Sequence, residues 1–187
     1  SRAIEIHMDA QNLIAMLPRN PLTKTMIRQA VDALNAVSKS LEQLKAEMRT
    51  LAAQLPEYPA VMAMRGVGDS LGPQIMAELG DVTRFTHRNA ITAFAGVDPG
   101  ADQSGAYEAK STRASKSGPP ELRKALFLVM DCLLKTQPAD DPVYRFMDKK
   151  RAEGKPYLVY MTAGANKFLR IYYGRVKEYL ASLEDSD

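Results

Sequence analysis

Cysteine, histidine and long apolar runs are what this sequence has least of. A single cysteine, Cys132, excludes an internal disulfide framework and a cysteine-rich zinc site. It lies in the run ALFLVMDCLL and is expected to be a packed core thiol. The two histidines, His7 and His87, stand far apart in unlike contexts. No H-x-x-x-H pair and no carboxylate cluster has metal-ligand spacing, so no metal site is expected in this chain. A Ser-His-Asp triad has no spacing to support it, and His87 in FTHRNA reads as the cap of a turn. No apolar run approaches the roughly 20 residues that span a bilayer, and the N-terminus has no apolar signal core. The chain therefore reads as cytoplasmic, with no membrane partner. Internal repeats and low-complexity tracts are absent too.

What is present is ordinary soluble composition, 45% hydrophobic and 25% charged, in 187 residues. That length suits one full-sized domain, or a domain with an extended appendage. The net charge of +3 hides an asymmetry. From Lys110 to Lys177 there are fifteen Lys/Arg against six Asp/Glu, a balance of +9, which leaves −6 for the remainder. A segment this basic points to a polyanionic partner, because cations near phosphates release condensed counterions. A solvated basic face is the plainer alternative.

Elements follow from pattern and punctuation. Residues 1–20 are short and weakly patterned, with a brief helix expected near Asp9 to Leu17, stopped by Pro18. Asn20 and Pro21 make a good helix start, cap followed by first-turn proline. From there to about Leu55 there is no internal Gly or Pro. Ile27, Leu34, Leu41, Met48 and Leu55 recur every seven residues, and Ala30, Val37, Leu44 and Leu51 follow three residues behind. This a/d seam predicts one long coiled-coil helix over residues 21–57, about 50 Å long and too long to pack entirely on a small domain. Its flanking positions carry few charges, so the orientation of a partner helix stays open. LPEYP is expected to end the helix as a hinge.

Residues 58–187 are expected to form a compact, mostly α domain. Its first feature is a helix, the turn Gly66-Val67-Gly68, and a second helix capped by Asp69 and closed at Gly80. Glycines at 66 and 68 permit positive φ and bare backbone N–H groups at a helix start. The pattern resembles a helix-hairpin-helix motif, whose turn holds a DNA phosphate. Val61, Met64, Val67, Ile75 and Leu79 bracket it with apolar residues. Many such hairpins are purely structural. Further helices are expected near Arg88 to Ala95, from Pro119 or Pro120 to before Pro138, within the basic stretch DDPVYRFMDKKRAEGKP with a stop at Gly154, and from Tyr157 onward as one helix or two.

One stretch departs from the helical pattern. GVDPGADQSGAYEAK, within residues 96–110, is a glycine-bounded loop that carries Ser104. Lys110, Arg113, Lys116, Arg123 and Lys124 follow closely. A serine attacking a phosphodiester needs cations that stabilise the extra charge of the pentacovalent transition state, and guanidinium forks do this best. Arg113, Lys116 and Arg123 are candidate members of such a cage. On residue chemistry alone, a solvated turn serine remains the stronger reading of Ser104.

The ordered motifs on either side shift that balance. They are the G-h-G turn, E-L-G-D with a following Arg84-Phe85, A-G-V-D-P from Ala95 to Pro99, Gln103-Ser104-Gly105, S-K-S-G from Ser115 to Gly118, and L-R-K-A-L from Leu122 to Leu126. Pro142, Tyr144, Gly154-Lys155 and NKFLRIYY from Asn166 to Tyr173 extend the series. Together, over roughly residues 60 to 175, they resemble the C-terminal transposase domain of the insertion-sequence one-ten/one-sixteen family. Its members are RNA-guided serine transposases, also called bridge recombinases. One departure is Pro119-Pro120, where relatives commonly have Asn-Pro, which leaves the helix start between the two prolines.

The resemblance implies a two-part protein. A RuvC-like half of ribonuclease-H fold would hold a divalent metal, Mg, on acidic ligands, and the C-terminal half would supply the serine of Q-S-G, here Ser104. That serine would attack DNA and form a covalent phosphoserine link. Carried over, Arg113, Lys116 and Arg123 would bind or activate the phosphate. DNA backbone would be held by Gly66, Val67, Gly68, Lys110, Lys124, Lys167 and Arg170. The implied partners are DNA, a guide (bridge) RNA in the full-length protein, and further copies through the long helix. No strand-borne acidic set precedes the heptad segment. The chain is therefore expected to be a fragment, with residues 1–20 a remnant of an upstream linker, Ser1 a tag remnant, and little activity of its own. The alternative is a non-catalytic helix-hairpin-helix and coiled-coil module that dimerises and grips nucleic acid, with Ser104 closing a turn. A third possibility is protein-only assembly through the long helix.

Overall fold

A computed structural model of the chain describes residues 21–98, 103–104, 107–108 and 117–185, with main chain alone at 103–104 and 107–108. It is mostly α, as the pattern predicts. The chain divides into two compact units, residues 1–47 and 48–187.

Helix α1 spans Pro21–Ala52 without a break, as expected where neither Gly nor Pro interrupts the heptads. Within the first unit its seam residues stand in solvent: Leu34 is 65% exposed, Val37 66%, Leu41 50% and Leu44 62%. The expected helix near Asp9 to Leu17 and the Asn20 cap lie outside the described residues.

The second unit builds its core from the remaining elements: α2 Tyr58–Met62, α3 Leu71–Leu79, a 3-10 turn Val82–Arg84 and α4 Arg88–Phe94. These are followed by strands β1 Gln103–Ser104 and β2 Tyr107–Glu108, then α5 Pro120–Thr136, α6 Pro142–Ala152 and α7 Tyr157–Glu184. The last is a single helix, not two. Its buried residues Met161, Ala165, Phe168, Leu169, Tyr172 and Val176 form one stripe at helical spacing. Through that stripe α7 packs against α2, α4, α5, α6 and the 3-10 turn. On α5 the stripe is Leu122, Ala125, Leu126, Val129, Met130 and Leu133, and α3 covers it from another side.

Glycine lets two helices approach closely. A Cβ on Gly164 of α7 would overlap the side chain of Met147 on α6. Caps set the helix starts: His87 Nδ1 accepts from the N–H of Ala90 at 3.2 Å, the capping role its context predicted. Asp141 accepts from the N–H groups of Val143 and Tyr144, both at 2.8 Å.

Some details correct the sequence reading. Cys132 is half-buried rather than a core thiol. It sits one residue before Leu133, about 100° round the helix from the buried stripe. Asp69 does not cap α3. The cap position belongs to Ser70, which makes no side-chain bond there, and Asp69 precedes it in a turn where the carbonyl of Gly68 takes the N–H of Gly72 at 2.9 Å. Of the two turn glycines only Gly66 has positive φ, at +78°. The serine loop contains the antiparallel pair β1–β2, with Gln103 opposite Glu108 and Ser104 opposite Tyr107. Helix α5 starts at Pro120 with Pro119 before it, which settles the choice between the prolines.

Candidate functional site

Ser104 stands in β1 opposite Tyr107, two residues apart in sequence from its partner strand. Among the candidate cations, Lys110, Arg113 and Lys116 lie outside the described residues. The stems on either side of the segment 99–116 are described, and they meet. The chain leaves α4 through Gly96, at φ +65°. It anchors Val97 in the core at 2% exposure, with the Val97 N–H bonded to the carbonyl of Thr92 at 3.2 Å. Next, the Asn166 side-chain amide on α7 donates to the Asp98 carboxylate at 2.6 Å and lies 3.5 Å from the Val97 carbonyl.

The returning stem is tied to the same place. Gly118 packs so tightly on the end of α4 that a Cβ there would overlap the carbonyl oxygen of Phe94. Arg123 then donates through Nη1 to the carbonyl of Gly118 at 2.5 Å. The sequence singled out Arg123 as a phosphate ligand; its guanidinium also holds its own chain. Lys124, on the outer side of α5, lies 3.5 Å from Glu121 and is 69% exposed.

The turn 66–68 occupies a different part of the surface. Gly66 rests on α5, where a Cβ would stand 3.0 Å from Val129 and 3.1 Å from Leu133. Those positions are about 9 Å or more along the helix from Arg123, at 1.5 Å rise per residue. Close packing therefore explains the first glycine, whereas nothing lies within 4 Å of a Cβ on Gly68. Beside the turn, Arg65 Nη2 donates to Asp140 at 2.8 Å, tying it to the α5–α6 connection.

Lys167 follows Asn166 on α7, and its ammonium stands 4.7 Å from the ring centre of Phe146, with Lys150 at 5.8 Å from the same ring. Arg170 is exposed one turn further on. The candidate residues thus fall into two groups. Arg123 is at the loop stems and Gly66 to Gly68 lie further down α5, while Lys167 stands against Phe146 on α6. The Arg84-Phe85 motif has an internal task. The guanidinium carbon of Arg84 stands 4.6 Å from the Phe85 ring centre and 4.5 Å from that of Phe94. In turn the Tyr173 hydroxyl donates to the Phe85 carbonyl at 3.1 Å. The Asp81 carboxyl, accepting from the hydroxyl and N–H of Thr83, is held below the usual carboxylate range.

Among the described residues no three His, Cys, Asp or Glu side chains converge to hold a metal ion, and no helix is long and apolar enough to cross a membrane. Sequence reasoning did not single out Asp98 and Gly118 as functional, and it saw Asn166 only as part of a motif. Asn166 is half-buried beside the buried Ala165 on α7, and residue order carried no signal for its partner.

Comparison with known proteins agrees with the motif series. Residues 58–145 match the family described as "Transposase IS116/IS110/IS902 family". The chain is similar to the pilin gene-inverting protein of Moraxella lacunata, 26% identical over 151 residues, and to that of Moraxella bovis, 25% identical over 151 residues. Each alignment covers 79% of this chain and 46% of the relative, so the chain spans about half the length of these curated relatives.

Proposed function

We propose, on the premise that residues 58–145 belong to the IS116/IS110/IS902 transposase family, that this chain is a DNA-binding and strand-exchange domain in which Ser104 is the nucleophile. The observation that carries the reading is that the family match encloses the whole serine loop and both its stems. The relatives' name, gene-inverting, supports it as well, since inversion also cuts and rejoins DNA strands.

The chemistry is a transesterification. The Ser104 hydroxyl loses its proton as Oγ bonds to phosphorus, and the bond from phosphorus to one bridging sugar oxygen breaks. That sugar oxygen leaves as a hydroxyl after taking up a proton. Attack by a hydroxyl of another strand on the phosphoserine link reverses the step and restores the serine. Arg113, Lys116 and Arg123 would stabilise the charge that builds on the phosphorane. A guanidinium has five N–H donors, so Arg123 can hold Gly118 and still present N–H groups to a phosphate. The backbone at Gly66, Val67 and Gly68 would hold a second phosphate, and Lys110, Lys124, Lys167 and Arg170 would extend the contact electrostatically.

In the same reading, a RuvC-like half supplies the acidic ligands for Mg. A guide RNA would select the DNA, and copies of the chain would associate through the seam of α1. The described residues of this chain do not suit a metal, so no step here runs through one.

Ser104→Ala in the complete protein tests the reading. Expected is loss of the covalent protein–DNA adduct on nicked or phosphorothiolate DNA, with DNA affinity preserved. Undiminished adduct in that variant would end the proposal and leave a module that grips nucleic acid without cutting it.

A further inference from the structure

The segment bearing Ser104 is joined to the helical body by two stems, and both are fixed by side chains outside the motifs that carry the nucleophile. On the leading stem, Val97 is sealed in the core and Asp98 accepts a 2.6 Å bond from Asn166, a residue 68 positions away in sequence. On the trailing stem, Gly118 is pressed on the end of α4 and its carbonyl is held by Arg123. Helix α7 is the central element of the domain, packed against four other helices, so a residue on it provides a fixed reference. A carboxylate acceptor makes the Asn166 bond a charge-assisted one, stronger than a neutral pair.

We infer that Asn166 is a positioning residue for the Ser104 loop: by fixing Asp98 against α7 it sets where the segment leaves the core, and hence where the serine is presented. The inference rests on the nucleophile reading of Ser104. It extends that reading from the loop to a side chain on α7, outside the loop. An in-line attack tolerates little misplacement, and a displacement of about 1 Å can cost on the order of a hundredfold in rate.

The test uses three variants: Asn166→Ala, Asn166→Asp, and the exchange Asp98→Asn with Asn166→Asp, which reverses donor and acceptor while keeping both shapes. Hydrogen exchange at the Val97 amide reads the clamp in this chain without any reaction. Adduct formation in the complete protein reads its consequence. Expected in Asn166→Ala are faster exchange at Val97 and an adduct rate lower by about tenfold or more, with DNA affinity unchanged. Asn166→Asp, which sets two carboxylates face to face, should be lower still, and the exchanged pair should recover most of the loss. Unchanged exchange at Val97 in Asn166→Ala would overturn the clamp. Faster exchange with an unaltered adduct rate, or no recovery by the exchanged pair, would overturn the positioning role. If the wild-type protein itself forms no adduct, the nucleophile reading has failed; the positioning role falls with it, while the exchange data still decide the clamp.

Discussion

Arg123 donates to the carbonyl of Gly118 at 2.5 Å, so a residue with the charge of a phosphate ligand is also a structural tie. The two tasks separate on substitution. Arg123→Lys keeps the charge and loses the planar fork. Adduct formation should fall by about tenfold, as for loss of a hydrogen bond to a charged group. The slope of log affinity against log salt should stay as in wild type, because the number of cations is unchanged. Measuring both on the same DNA checks the split.

The glycines of the 66–68 turn should differ sharply. Gly66 combines φ of +78° with crowding by Val129 and Leu133. Gly66→Ala should therefore cost about 1–3 kcal/mol of stability. Gly68 has open space where a Cβ would go, so Gly68→Ala should stay within about 0.5 kcal/mol. Denaturant melts decide. Weakened DNA binding by the stable Gly68→Ala variant would support a backbone contact at that turn.

The exposed seam of α1 predicts self-association. Leu34→Glu with Leu41→Glu should lower the sedimentation-derived mass at a fixed concentration and leave the melting of the second unit unchanged, since neither residue lies in its core. Identical masses for variant and wild type would remove the seam from the account.

Tyr172 is fully buried, and among the described residues its hydroxyl has no hydrogen-bond partner. Burial, helped by the negative charge of Glu57, pushes its ionisation well above the ordinary tyrosine value. Tyr172→Phe should be neutral or stabilising, by up to about 1 kcal/mol. The sign with pH follows. The folded state keeps the phenol protonated where the unfolded state would release the proton, so wild-type stability is full below about pH 10 and falls above it. Alkaline melts should show that fall in wild type and a shallower one in Tyr172→Phe.

Lys167 stacks on Phe146 at 4.7 Å and directly follows Asn166 in the chain. Lys167→Ala should reduce the salt slope by about one while leaving sequence preference unaltered. A salt titration of binding to two unrelated duplexes checks both parts.

Much of this was legible in residue order. Heptads without Gly or Pro dictated α1, the proline pair 119–120 marked the start of α5, and the apolar residues bracketing the 66–68 turn named part of the core, Val61, Met64, Ile75 and Leu79. The chemistry of Ser104 was legible as a possibility, raised by motif order. What stayed hidden depended on contacts distant in sequence. Nothing local to Asn166 says that it meets Asp98, and nothing local to Gly118 says that the end of α4 leaves no room for a side chain. The paired strands were hidden for a different reason: two residues a side are too few for alternation to register. Gly105 in a two-residue connection was the available cue.

The order of elements along the chain has a consequence for how the domain is made. Helix α7 comes after every other described element, yet it packs against four of the other helices and the 3-10 turn, and it holds the amide that fixes Asp98. During synthesis, the helices before it can form and α3 can pack on α5, but the surface that α2, α4, α5 and α6 share is still missing. The serine loop is therefore translated long before the helix that fixes its leading stem, and a nascent chain carries Ser104 without the frame that would aim it.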